Sequence, residues 1–160
     1  MAGTGSLSES AGVRLRVAAA AWAGLSEAGA EVVVEGDEAH HGARVLRLGA
    51  GAAVTLIDGA GGVAGAEVVA AGRGEVRCRL TEAVRREARP RPGVTVVAPA
   101  PKGPRADAMA DGLAQVGASR WVVLRSERAV VEPGAGRLEK WRRRAAEASK
   151  QCGRLWDLEM

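Results

Sequence analysis

Two short basic segments occupy places where α/β proteins keep their chemistry. Pro101-Lys102-Gly103-Pro104-Arg105 follows the apolar run Val94–Ala98 and precedes a helical pattern, and Ser126-Glu127-Arg128 follows the apolar run Trp121–Leu124 in the same way. Ligands of open α/β sheets gather at the carboxyl ends of the strands. Both loops therefore project from one edge of a sheet, where Lys102 and Arg105 can meet phosphates or a base. The bland alternative is a pair of solvated loops with routine charges. Further cations come in spaced pairs. Arg14 and Arg16 alternate out of the run Val13–Val17, and Arg44 and Arg47 lie three residues apart in a helical stretch, near each other on one face.

Other chemistries find little support. His40 and His41 are the only histidines. Adjacent helical residues point in different directions, so the two cannot jointly hold a metal at the usual i, i+4 spacing. No third ligand and no Ser/His/Asp set accompanies them, and no metal is expected. The glycines at 59, 61, 62 and 65 invite a dinucleotide-loop reading, but Ala64 stands where the third glycine belongs and Val63 onward alternates like a strand. A hairpin turn is the better reading. Cys78 and Cys152 form no CxxC and sit in apolar patterns, which predicts two buried free thiols.

These groups must be carried by a globular chain. Of 160 residues 47% are hydrophobic and 26% charged, with no Phe or Tyr and four Trp, so the core must be built from small side chains. Lys plus Arg exceeds Asp plus Glu by 23 to 19, a balance that suits a nucleic-acid partner and equally suits a basic soluble protein. No run approaches the ~18 apolar residues of a membrane span. Residues 1–12 are small and polar, read as a disordered end, and lack the apolar stretch of a signal peptide.

The pattern predicts two units. Residues 13–83 read as a strand-rich unit: a strand at Val13–Val17, a short helix within 18–29, a strand at Glu31–Glu35, and a helix Glu38–Leu48 capped by Asp37 with Ala39, Ala43 and Leu46 inward and Val45 as a fourth candidate. A hairpin Val54–Asp58/Val63–Ala70 and a strand Glu75–Leu80 complete it. Residues 84–93, charged and holding two prolines, read as a linker. Residues 94–160 alternate strand and helix, the opening of a doubly wound fold. A strand Val94–Ala98, a helix Ala106–Val116 with Met109, Leu113 and Val116 inward, a strand Trp121–Leu124 and a final helix follow one another. Leu138, Trp141, Ala145, Ala148 and Cys152 mark the inner stripe of that helix; Lys140 to Arg144 read as its solvated face, aided by an Arg143–Glu147 pair.

In this order the pieces resemble a known family. GDEAHHGARVLRLGAG at 36–51 and VTLIDGAGGVAGAEV at 54–68 resemble the N-terminal PUA-like β-barrel domain of RsmE-type methyltransferases. PAPKGPRADAMADGLAQVGASRWVVLRSERAVV at 99–131 and KWRRRAAEASKQCGRLWDLEM at 140–160 resemble the start of their α/β SPOUT (trefoil-knot) domain, with the family's Gln-x-Gly-Arg step at Gln151–Arg154. The resemblance implies S-adenosylmethionine-dependent methylation of N3 of one uridine in 16S ribosomal RNA, a cytoplasmic homodimer, and the RNA or the assembled small subunit as partner. It makes Arg14, Arg16, His40, His41, Arg44, Arg47, Lys102 and Arg105 candidate RNA contacts, and Arg128, Glu127 and Arg154 candidate catalytic residues, Arg128 to stabilise a developing uracil anion. Gly112 and Gln115 stand where the family has Lys and Glu. The family's Gly-Pro-Glu-Gly-Gly loop and Arg-Ile-Leu-Arg segment, which build the knot and bind the cofactor, do not occur among these residues. The expectation is thus a SPOUT unit without its knot segment and without a cofactor site. It represents either an incomplete enzyme or a non-catalytic RNA-binding module that keeps the PUA-like domain.

Overall fold

The computed structural model describes residues 12–22, 25, 27–72, 74–125 and 133–160. Its first unit is a curled sheet. The strands β1 (Val13–Arg16), β2 (Glu31–Glu35), β3 (Ala53–Ile57), β4 (Gly62–Ala71) and β5 (Glu75–Leu80) lie in the order β1-β3-β4-β5-β2, and a short β6 (Arg85–Arg86) adds to β4. Only β1 and β3 run parallel within it; the other pairs are antiparallel. Alternation decides the inner face: Leu15, Val32, Val34, Leu56, Val76, Cys78 and Leu80 are buried together with Trp22. The β3–β4 hairpin closes on Asp58, whose Oδ1 accepts the N–H groups of Ala60 (2.7 Å) and Gly62 (2.8 Å). Gly59 and Gly61 hold the positive φ that this turn needs.

The helices of this unit differ from the sequence reading. Within 18–29 the described helical residues are one 3-10 turn, Ala19–Trp22. The helix expected over 38–48 starts earlier, as α1 (Gly36–His40) with Glu35 at its N-cap position and no side-chain cap, so Asp37 does not cap it. It widens into a π turn at His41–Val45, where Leu46 N–H reaches the His41 carbonyl. That extra residue per turn rotates the following side chains outward. Ala39 and Gly42 are buried while Val45 and Leu46 are exposed. Gly42 lies so close to Leu48, Leu15 and Val76 that a β-carbon would crowd Leu48 at 3.3 Å.

The second unit pairs β7 (Thr95–Ala98) parallel to β8 (Arg120–Val123), with α2 (Pro104–Val116) and α3 (Ala135–Gln151) packed on each other. Residues near the end of the chain run beside β8: Trp121 donates its backbone N–H to the Glu159 carbonyl, and Glu159 N–H reaches the Ser119 carbonyl. The core is small-residue, as composition required. Ala106, Ala110 and Ala114 make the buried ridge of α2, and Trp121 and Trp141 fill the space opposite, ring centroids 5.3 Å apart. Val116, expected inside, is exposed, because the ridge follows i, i+4, i+8 from Ala106 instead. Lys140 and Arg144 do more than face solvent; they reach Asp107 (2.7 Å) and Asp111 (2.8 Å) across the helix pair. Away from the helices, Val97, Val122 and Leu124 stay 57%, 41% and 42% exposed, so the strands expected to be covered on both faces are covered here on one.

The segment 84–93 is strapped down rather than free. Arg85–Arg86 pair with Gly62–Val63, Glu87 N–H reaches the Gly61 carbonyl, and Arg89 crosses to the second unit.

Candidate nucleic-acid interface and the cleft between the units

The expected RNA contacts fall into separate places. His40, His41, Arg44 and Arg47 are exposed on and just after α1 and its π turn. Arg47 has φ 51°, outside the helix, so Arg44 and Arg47 share a surface region but not a helix face. Lys102 and Arg105 are exposed at the carboxyl edge of β7, the first before and the second inside α2. Among the described residues none of these six side chains forms an ion pair, so the charges of Arg44, Arg47, Lys102 and Arg105 are open to an anionic partner. Glu127 and Arg128 lie outside the described residues. Arg154 donates from Nε and Nη2 to the Gln115 carbonyl, both 3.0 Å, covering the C-terminus of α2.

Arg16 is engaged elsewhere. Its guanidinium forms a bidentate pair with Asp157 (2.6 and 2.9 Å) and also donates to the Ala146 carbonyl (3.1 Å). Beside it, Glu38 accepts the Arg16 backbone N–H (3.0 Å) and the Lys150 ammonium on both oxygens (2.9 and 3.0 Å). Lys150 is 8% exposed and also meets Glu147. Arg89 pairs with Glu159 and lies over the Trp156 ring, 5.0 Å from its centroid. Backbone bonds complete the seam: Gly61 N–H to the Leu155 carbonyl (2.8 Å) and Asp157 N–H to the Gly59 carbonyl (2.9 Å). The Arg120 and Arg89 guanidiniums hold the Glu159 carboxyl below the usual carboxylate range. Sequence reasoning missed Glu38, Arg89, Lys150 and Asp157. A faint signal existed in α3, where Ala146 puts a small residue on a second face, whose carbonyl accepts Arg16 of β1.

The seam borders a cleft of about 1030 Å³. One wall is the outer face of the sheet, where Arg14, Thr55 and Gly65 stand in register across β1, β3 and β4. The other wall is made by the loop before β8, Gly117–Ser119, and the loop after α3, Cys152–Asp157. Gly117 and Ser119 precede β8, so the cleft lies at the amino edge of the parallel strands, opposite Lys102. Cys152 is exposed here, contrary to expectation, because it caps α3 instead of continuing its buried stripe; Cys78 is buried, and burial pushes its thiol up to about 11. Among the described residues no three His, Cys, Asp or Glu side chains are placed to hold a metal ion, and no helix is long and apolar enough to cross a membrane.

Comparison with known proteins fits this two-part layout. Residues 34–81 match the RNA methyltransferase PUA domain, and residues 88–160 match the RNA methyltransferase domain. These matches define the class: RNA methyltransferases in which a PUA domain precedes the catalytic one. Within that class, the curated relatives that the chain matches are ribosomal RNA small subunit methyltransferase E proteins. The chain is 35% identical over 136 residues to the protein of that name from Mycobacterium bovis, covering 81% of this chain and 51% of the relative. The Synechocystis protein of that name is 32% identical over 127 residues, 79% of this chain and 41% of the relative. The chain thus spans about half the length of the curated relatives it matches. The fold is shared with the Neisseria gonorrhoeae ribosomal RNA small subunit methyltransferase E bound to S-adenosylmethionine. There the TM-score is 0.80 at 20% identity, covering 93% of this chain and 60% of that one. A putative Legionella pneumophila methyltransferase in complex with the same cofactor gives 0.77 at 24% identity, covering 92% and 61%.

Proposed function

We propose that this protein serves the S-adenosylmethionine-dependent methylation of N3 of one uridine in 16S ribosomal RNA, in the cytoplasm and as part of a homodimer. The observation that carries this reading is the ordered match of a PUA domain and a methyltransferase domain in one chain, to relatives named for small-subunit ribosomal RNA methylation. In this reading residues 13–83 hold the RNA, by phosphates, through Arg44, Arg47, His40 and His41. Lys102 and Arg105 meet it at the carboxyl edge of the second unit, where Glu127 and Arg128 also fall in sequence. Uracil N3 must lose a proton as the methyl arrives, so a base or a polarising arginine is needed there. When bound, S-adenosylmethionine supplies the methyl group. The described residues at that edge do not fit a sulfonium: the side chains they offer, Lys102 and Arg105, are themselves cationic. No step is therefore assigned to a residue holding the cofactor.

Two measurements test the reading. Nucleoside mass spectrometry of 16S RNA from cells lacking the gene should show the loss of N3-methyluridine, and an unchanged nucleoside would remove the proposed reaction. Binding of the 160-residue chain to a small-subunit RNA helix across a salt series should weaken when Arg44 and Arg47 are both replaced by Ala. The log–log slope should then flatten by ~0.7 to 0.9 for each phosphate that is no longer neutralised. An unchanged slope would mean these arginines do not touch RNA. Binding without any methylation phenotype would favour the non-catalytic RNA-binding module.

A further inference from the structure

The cleft between the units carries one arginine with no work to do inside the fold. Arg14 Nη1 is buried without a hydrogen-bond partner among the described residues, and Arg14 forms no ion pair there. A buried donor left unpaired forfeits the hydrogen bond it had with water, so such a group is expected to find an acceptor. Its guanidinium lies against the backbone of Gly153: a β-carbon on Gly153 would stand 3.2 Å from Nη2 and 3.3 Å from Nη1. The next residue, Arg154, spends its hydrogen bonds on a neutral carbonyl, so its positive charge is also uncompensated among the described residues.

The acidic groups of the cleft do not neutralise this end. Asp157 is taken by Arg16, and Glu87 stands 3.8 Å from Arg85. Glu82 accepts the Gly65 N–H at 2.9 Å and keeps its charge there, two strands away from Arg14, about 10 Å. Glu67 has no ion pair among the described residues. It sits in the row Ala53–Glu67, two residues along the strands from the row Arg14–Thr55–Gly65, a separation of about 7 Å. What remains beside Gly153 is the Arg14 guanidinium and, in register with it, the Thr55 hydroxyl; the Arg154 guanidinium lies against Gly117, on the facing wall of the same cleft.

We propose that the Arg14–Gly153–Arg154 end of this cleft is a phosphate-binding site whose ligand is a phosphodiester of the RNA. The inference rests on the RNA-binding reading above and adds to it a second point of contact, at the amino edge of β7 and β8. Arg14 from the first unit and Arg154 from the second both line this cleft, so a phosphodiester chain lying along it touches both units. The cleft is far larger than one ion needs, which suits a polymer lying along it. Free phosphate shares the same chemistry, and the experiment separates the two sources.

The test uses the 160-residue chain and a fluorescent small-subunit RNA hairpin, with anisotropy read across a potassium chloride series, for the wild type, Arg14→Gln, Arg14→Lys and Thr55→Glu. Phosphorus NMR of inorganic phosphate with the same proteins forms the second arm. Arg14→Gln should reduce the log–log salt slope by ~0.7 to 0.9, and Arg14→Lys should keep it. Thr55→Glu, which sets a carboxylate beside Arg14, should act like Arg14→Gln and serves if that variant does not fold. A slope change with no phosphate line broadening assigns the site to RNA. Broadening by inorganic phosphate that Arg14→Gln abolishes, with the RNA slope unchanged, keeps the phosphate site and assigns it to the free ion. No difference between wild type and variants in either arm overturns the proposal, while an effect of Arg44 and Arg47 in the same assay would leave RNA binding itself standing.

Discussion

Gly112 sits on the exposed side of α2, with nothing within 4 Å of where its β-carbon would stand. A glycine inside a helix costs about 1 kcal/mol relative to alanine, mostly through the freedom it returns to the unfolded chain. Gly112→Ala should therefore raise stability by about 1 kcal/mol, read as a higher urea midpoint at unchanged m-value. The position is where the resembling family carries Lys, so the sequence marks it; the openness that makes the substitution free of clashes is a structural fact. Arg14 and Arg16 show the opposite case. Strand alternation places both off the core, and it cannot tell them apart. Only the arrival of Asp157 and Ala146, some 130–141 residues away, takes Arg16 out of the surface set.

Among the elements, α3 shows one stripe in the sequence and two buried faces in the fold. Trp141, Ala145 and Ala148 meet α2, whereas Lys150 reaches Glu38 of the first unit and the Ala146 carbonyl accepts Arg16. Periodicity finds the apolar face because it repeats; a face made of one alanine and one lysine leaves almost no periodic trace. The segment beside β8 is likewise too short for a pattern. Its Glu159 joins Arg120 and Arg89, which lower its pKa in the fold. The unfolded chain then binds more protons through the carboxylate range. The stabilisation is complete above the ordinary glutamate value and fades as pH falls through the lowered one. Glu159→Gln should accordingly shrink the drop in melting temperature between pH 7 and pH 3. An equal drop in wild type and variant would place the acid sensitivity in other carboxylates.

At the level of the whole molecule, the two units are joined by charge. Lys150 and Glu38 are mostly buried, and removal of one partner of such a pair leaves the other uncompensated. Lys150→Ala should cost about 3 kcal/mol, seen as a lower urea midpoint. Arg77→Ala, which breaks the exposed Arg77–Glu75 pair, should cost less than about 1 kcal/mol. Equal effects would mean that the seam adds nothing beyond surface electrostatics.

Strands β1 to β5, β7 and β8, the hairpin, the change of character near residue 84 and the family resemblance are legible in the sequence, because alternation, turn glycines and ordered motifs are local or linear properties; the two-residue β6 is too short to leave a pattern. With no Phe or Tyr, the sequence also restricted the core to aliphatic side chains, a cysteine and tryptophan. The tertiary structure alone decided which of the described cations are spent on partners within the fold. It turned the expected linker into a strap, buried Lys150 against Glu38, exposed Val45, Val116 and Cys152, and left Arg14 without a partner among the described residues of the cleft. Each of these depends on what lies opposite a side chain, and partners such as Arg16 and Asp157 or Glu38 and Lys150 are separated by more than a hundred residues; no local pattern encodes such a meeting.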